Sequence, residues 1–192
     1  MDVALINCGN SRKDRKMKKS MFLILGLFFL AHVTTAQVPE NKLRTLPAVE
    51  LKTLDGKTIN TADLSNNGKP IIISFFATWC KPCVSELSTI SDVYADWQEE
   101  TGVKIIAVSI DDSRTSSGVK PLVDGKNWDY TVLLDVNSDF KRAMNVNLVP
   151  TTFILNGKGE IVSQHTSFSQ GSELGLIEIV RKINAGEDLT EK

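Results

Sequence analysis

Cys80 and Cys83 stand three positions apart in Thr78-Trp79-Cys80-Lys81-Pro82-Cys83. Cysteines at that spacing serve thiol–disulfide exchange, metal binding or covalent haem attachment. The residue after Cys83 is Val84, so the haem signature is missing. A structural zinc site needs four ligands. Beyond residue 36 the chain offers only these two cysteines and His165, so no metal site is expected. As a staple the pair would close too short a loop to stabilise much. Redox chemistry accounts for the spacing best.

The positions that follow explain how such a pair would work. Apolar residues recur at Val84, Leu87, Ile90, Tyr94 and Trp97 with helical spacing, which puts the cysteines at a helix start. Residues three apart share a face there, and Pro82 suits a first turn whose N–H groups have no helical partner. The helix dipole stabilises a thiolate at this end, which favours Cys80, the outer residue, as nucleophile. Lys81 adds positive charge, and Cys83, one turn inside, is set to attack a mixed disulfide. Cys80 and Cys83 are the expected catalytic pair, with Lys81 and Pro82 tuning it.

The elements that must position this pair are readable around it. Val49–Leu54 alternates, Asp55-Gly56 signals a turn and Lys57–Asn60 follows, predicting a small N-terminal β-hairpin. Ile71–Phe76 is a continuous apolar run of the kind buried on both faces of a sheet. The pattern predicts further strands at Val103–Ile110, Tyr130–Leu134, Thr151–Leu155 and Glu160–Gln164. It predicts helices at Ser113–Leu122, Asp139–Met144 and Ser172–Ile183, the last stopped by Gly186. The expected fold class is α/β, with a central mixed sheet flanked by helices. Trp97 and Trp128 read as core or near-core residues, and Trp79 as part of the surface beside Cys80.

The N-terminal stretch has a different character. Basic residues crowd Arg12–Lys19, and an apolar run from Met21 to Leu30 precedes Thr34-Thr35-Ala36. This is the layout of a secretory signal peptide, with cleavage expected before Gln37; an uncleaved membrane anchor is the alternative. Met17 is a second candidate start, which would leave residues 1–16 untranslated. Cys8 precedes the apolar run and so is no lipid anchor. The expected organisation is a signal peptide at 1–36, a flexible segment at 37–47, one domain at 48–186 and a tail at 187–192. Export places the dithiol in an oxidising periplasmic or other extracytoplasmic compartment. The whole chain carries a formal charge of -1, with no basic excess for a nucleic-acid surface.

Phe75-Phe76-Ala77-Thr78-Trp79-Cys80-Lys81-Pro82-Cys83, Val149-Pro150-Thr151-Thr152-Phe153-Ile154 and Asn156-Gly157-Lys158-Gly159-Glu160-Ile161-Val162 together resemble the exported TlpA/ResA-like branch of the thioredoxin superfamily. The resemblance spans about residues 46–185. It implies a thioredoxin-like fold with an inserted βα unit, and a protein-disulfide reductase needing no cofactor. The implied partners are disulfide-containing exported proteins, apocytochrome c among them, and a membrane thiol reductant as electron donor, acting on a monomer.

By position, Pro150 matches the family's cis-proline facing the dithiol, and Val149 offers backbone hydrogen bonds to a substrate strand. Glu86 matches the acid this branch uses near its cysteines and becomes the expected proton acceptor for Cys83. Ser74 stands where cytosolic thioredoxins bury an acid, a departure from that branch. Two alternatives stay open. A thiol peroxidase would carry Thr or Ser three residues before its reactive Cys, where this chain has Ala77. A copper carrier would use the cysteines with His165, otherwise a surface histidine on an edge strand.

Overall fold

The computed structural model describes residues 43–187 and 189. Expectations for the signal peptide, for residues 37–42 and for the tail beyond 189 lie outside the described residues.

The chain opens with the hairpin of β1 (Glu50–Thr53) and β2 (Thr58–Asn60), antiparallel as expected. Gly56 in its turn has φ 83, a region that favours glycine. Then come β3 (Ile71–Phe76), α1 (Lys81–Thr101), β4 (Lys104–Ser109), α2 (Val119–Lys126) and β5 (Thr131–Leu134). α3 (Asp139–Ala143), β6 (Thr151–Leu155), β7 (Ile161–Thr166) and α4 (Glu173–Ala185) complete the order. The seven strands form one sheet in the order β2-β1-β5-β4-β3-β6-β7. β3, β4 and β5 run parallel, while β1 and β6 join them antiparallel, so the sheet is mixed.

Two-sided burial explains why β3 reads as an unbroken apolar run. Ile71, Ile73 and Phe75 face one side and pack with Phe140, Met144 and Phe153. Ile72 faces the other, against Ile90, Tyr94 and Trp97 of α1 and Leu176, Ile177 and Val180 of α4. At the end of the strand, Phe76 joins a cluster with Cys80, Cys83, Leu87, Val119, Val123 and Trp128. Its ring meets Trp128 edge-on, centroids 5.7 Å apart. Trp97 and Trp128 are both buried.

Two boundaries differ from the sequence reading. The helix expected at Ser113–Leu122 is instead a turn closed by Asp112, a 3-10 turn at Ser116–Gly118, and then α2. Pro121 has no N–H and therefore belongs in a first turn, which moves the helix start to Val119. Asn127 ends it in the left-handed region, its N–H donating to the carbonyls of Asp124 and Val123. The second difference is at residues 43–47, included in the segment expected to be flexible. Arg44 O accepts from Ile161 N (2.7 Å), Thr45 bridges to Glu160, and Pro47 O accepts from Thr61 Oγ1, so backbone bonding holds this stretch.

The cluster under the cysteines sets a stability expectation. Phe76→Ala removes a fully buried ring where β3 meets α1, and should cost about 3–5 kcal/mol of unfolding free energy in denaturant titration. A loss below about 1 kcal/mol would mean that the cluster collapses around the gap and does not depend on that ring.

Candidate active site

The dithiol lies where β3 turns into α1. Cys80 is the N-cap of the helix, and its sulfur accepts from the Cys83 N–H at 3.3 Å. The two cysteines are joined as a disulfide, with Cα atoms 5.3 Å apart. Pro82 sits in the first turn as expected, and Lys81 is exposed beside Cys80. Cys80 lies outermost, but it is only 7 % exposed against 0 % for Cys83. Access to sulfur is therefore narrower than a helix end alone would suggest, because Val149 packs against the same cluster.

The loop carrying Thr78 is held by Asp111, a residue the sequence reading did not single out. Its carboxylate, 1 % exposed, accepts from Thr78 N (2.9 Å), Thr78 Oγ1 (2.6 Å) and Ser109 Oγ (2.9 Å). The signal for it was topological. β3 and β4 are parallel neighbours, so the residues just past their C-terminal ends meet, where open α/β sheets build their sites.

Opposite the disulfide, the Val149–Pro150 bond is cis, Pro150 is buried, and Val149 O lies 3.7 Å from Cys80 Sγ. Trp79 and Leu148, on either side of this contact in sequence, are 63 % and 65 % exposed. They are among the few large apolar side chains left in solvent, and Leu148 was missed by sequence because it lies outside the periodic segments.

One turn below Cys83, Glu86 is not the solvated helix carboxylate that its residue type alone suggests. It is 5 % exposed, facing the sheet. Thr152 Oγ1 donates to its Oε1 at 2.8 Å and lies 3.0 Å from Ser74 Oγ. Oε2 is buried with no hydrogen-bond partner in the protein. Burial, reinforced by the like charge of Glu173 and partly offset by the Thr152 bond, pushes the Glu86 carboxyl up from 4.5 to about 7. The Tyr130 phenol is also pushed above its ordinary value, by burial and by Glu86, and it donates to Leu87 O at 3.0 Å. Thus Cys80, Cys83, Glu86, Val149 and Pro150 converge, with Trp79 and Lys81 on the rim.

His165 lies elsewhere. It is on β7, beside Thr152 in the sheet, and among the described residues no group of His, Cys, Asp and Glu side chains is arranged to hold a metal ion. No helix among the described residues is long and apolar enough to cross a membrane.

Comparison with known proteins places this geometry in a family. Residues 43–164 match the AhpC/TSA family. The thiol-disulfide oxidoreductase ResA of Oceanobacillus iheyensis is 30% identical over 172 residues, covering 84% of this chain and 87% of that protein. The sporulation thiol-disulfide oxidoreductase A of Bacillus subtilis is 30% identical over 141 residues, 72% of this chain and 82% of its own. Among solved structures, an uncharacterized thioredoxin-like protein from Porphyromonas gingivalis is 57% identical. It superposes with a TM-score of 0.67 over 74% of this chain and 94% of its own. A CxxC disulfide capping a helix beside a cis-proline, on a thioredoxin-like sheet and with this relationship in sequence, settles the assignment: the chain belongs to the ResA-like thiol-disulfide oxidoreductases.

Proposed function

We propose that this protein is an exported reductase of protein disulfides, in which Cys80 attacks, Cys83 resolves and Glu86 takes the proton released between the two steps. The observation that carries the reading is the buried, half-satisfied Glu86 carboxyl one turn from Cys83. In the reduced protein the Cys80 thiolate attacks a substrate disulfide, forming a mixed disulfide and expelling one substrate thiolate. Cys83 then gives its proton to Glu86, and its sulfur attacks Cys80. A Cys80–Cys83 bond forms, the mixed disulfide breaks and the second substrate thiolate leaves. Two electrons pass from the dithiol to the substrate, and a membrane thiol reductant restores the dithiol.

Other groups take supporting roles in this reading. The Cys83 N–H and the helix dipole favour the Cys80 thiolate, and Lys81 adds charge. Val149 pairs with an extended substrate segment, while Trp79 and Leu148 offer it apolar contact. Export is supported by the charged and apolar layout of residues 12–36, and an apocytochrome c substrate by the likeness to ResA proteins. Ala77, where a peroxidase would carry a hydroxyl, argues against peroxide as the oxidant. A disulfide-linked CxxCH peptide should be reduced faster than glutathione disulfide, and peroxide should not be consumed; the reverse pattern would reject this substrate class.

Two measurements test these roles. In the reduced protein at neutral pH, iodoacetamide should modify Cys80 at least about tenfold faster than Cys83, read by peptide mapping. Faster labelling of Cys83 would reverse the roles. Glu86→Gln should slow resolution of a preformed Cys80 mixed disulfide by on the order of 100-fold, the scale of a lost general base, while Cys80 labelling stays unchanged. Resolution at the wild-type rate would remove Glu86 from the reaction.

The same carboxyl also predicts a pH dependence of folding. A carboxylic acid whose folded pKa lies above its unfolded value stabilises the protein below the unfolded pKa, and that stability is lost as pH rises through the folded pKa. For Glu86 the window runs from about 4.5 to about 7, and the loss across it is on the order of 3 kcal/mol. In Glu86→Gln this part of the slope should vanish, so the variant gains on the wild type above pH 7. Parallel denaturation curves across the window would contradict the burial argument.

A further inference from the structure

Beside Glu86 the molecule holds a cavity of about 320 Å³ lined by Glu86, His165, Thr166, Ser167, Phe168 and Ser169 among others. The sheet register explains why a histidine borders it. Thr152 of β6 pairs with His165 of β7, and directly opposed residues of antiparallel strands project to the same face. Thr152 is the residue whose hydroxyl bonds Glu86 Oε1, so His165 belongs to the face on which Glu86 is buried. The second carboxyl oxygen, Oε2, is buried and without a partner in the protein, while His165 is exposed, with Nε2 3.0 Å from Ser163 Oγ. The cavity is thus bordered by Glu86, whose Oε2 is itself closed off from solvent, and by an exposed histidine.

We propose that this cavity is the route by which Glu86 exchanges its proton with solvent, and that His165 at its mouth is the relay. The inference rests on the reading of Glu86 as the proton acceptor. Each resolving step breaks the Cys83 S–H bond, leaves the electron pair on sulfur for the new S–S bond and puts the proton on Glu86. Re-reduction releases Cys83 as a thiolate that takes up a proton again, so between turnovers Glu86 either returns its proton to Cys83 or exchanges it with solvent, and a solvent route sets how fast the second path can run. Towards the sheet, Glu86 meets only the Thr152 and Ser74 hydroxyls, which end in the protein interior.

Of the titratable groups facing Glu86, Cys83 on α1 is the donor, and the Tyr130 phenol is held protonated by burial and already donates to Leu87 O. Glu173 of α4 is a like charge, with Oε2 engaged by Gly171 N. His165 both lines the cavity and reaches solvent, and partial desolvation of its ring lowers its pKa, which favours the neutral form. Proton passage from Glu86 through the cavity to His165 and on to bulk solvent returns both groups to their starting state.

The test is multiple-turnover reduction of a glutathionylated peptide by the full-length protein, with dithiothreitol as reductant. It is run in weak and in concentrated imidazole buffer, across pH 5–9, for wild type, His165→Gln and Glu86→Gln. In weak buffer, His165→Gln should turn over several-fold more slowly than wild type, with unchanged melting temperature and Cys80 labelling; imidazole should restore it by entering the opened route. Glu86→Gln should be slow and insensitive to imidazole. Ser169→Trp, which fills the cavity from an exposed position, should imitate His165→Gln but resist imidazole. His165→Gln turning over like wild type in weak buffer, or a loss that imidazole does not relieve at any pH, would overturn the relay while leaving Glu86 in place. Normal turnover of Glu86→Gln would instead overturn the acceptor reading on which the relay rests.

Discussion

The structure depends on one junction: the N-terminus of α1 set over the buried end of β3. A helix start exposes N–H groups that need acceptors, and here the Cys83 N–H finds the Cys80 sulfur. That sulfur is thereby both helix cap and one half of the disulfide, and it cannot drift without uncapping the helix. Everything around the junction keeps the helix end in register. Phe76, Leu87 and Trp128 fill the space beneath it, Asp111 ties down the preceding loop, and Val149 closes it from the side. The dithiol is thus rigidly presented by packing rather than by its own cross-link, whose short ring contributes little to stability.

Above neutral pH, burying Glu86 works against folding. Its neighbours supply one good donor, Thr152, where a fully satisfied carboxylate would have several, and the like charge of Glu173 adds to the penalty. A sequence selected for stability alone would put an apolar residue or a better-bonded one at this position. The retained acid is consistent with strain kept where chemistry needs a group that titrates near neutrality. The polar residues of the sheet fit this picture. Ser74 is the one hydroxyl in an otherwise apolar β3, and it faces Thr152 and Glu86 rather than solvent. Ser74 and Glu86 are thereby linked through the Thr152 hydroxyl, one polar thread from strand to helix.

The sequence made the sheet and helices legible because their periodicities are strong. Ile71–Phe76 matched its strand residue for residue, since two-sided burial leaves little room for polar residues there. The pair at Cys80 and Cys83 and their helix were equally plain. Less legible was whatever depends on contacts between distant segments. Asp111 reads as one of two adjacent acids, Asp111 and Asp112, until the parallel pairing of β3 and β4 brings it to Thr78. Thr152 reads as an ordinary β-former until the register sets it against Glu86. The start of α2 lies later than the expected Ser113 because Ser113–Gly118, rich in Ser, Thr and Gly, suits turns, and Pro121 belongs in a first turn. Burial of Cys80 was underestimated for the same reason, as the covering residue lies 69 positions away.

Asp111 and Glu86 together show how environment divides labour between two buried carboxyls. Asp111 receives three donors from Thr78 and Ser109 within 2.6–2.9 Å, enough to hold its side chain in place. Glu86 receives one, keeps an oxygen unpartnered and borders a cavity. Donor count, more than residue type or depth, separates the two. The saturated acid is suited to fixing the loop that carries Trp79 and Cys80. The unsaturated one gains more from a proton than from any partner the fold supplies, so it sits close to the balance between its charged and neutral forms. Exchanging their surroundings would exchange their suitability for these tasks: three donors around Glu86 would favour the charged form too strongly for release of the proton to matter, and a bare Asp111 would free the loop that orients Cys80.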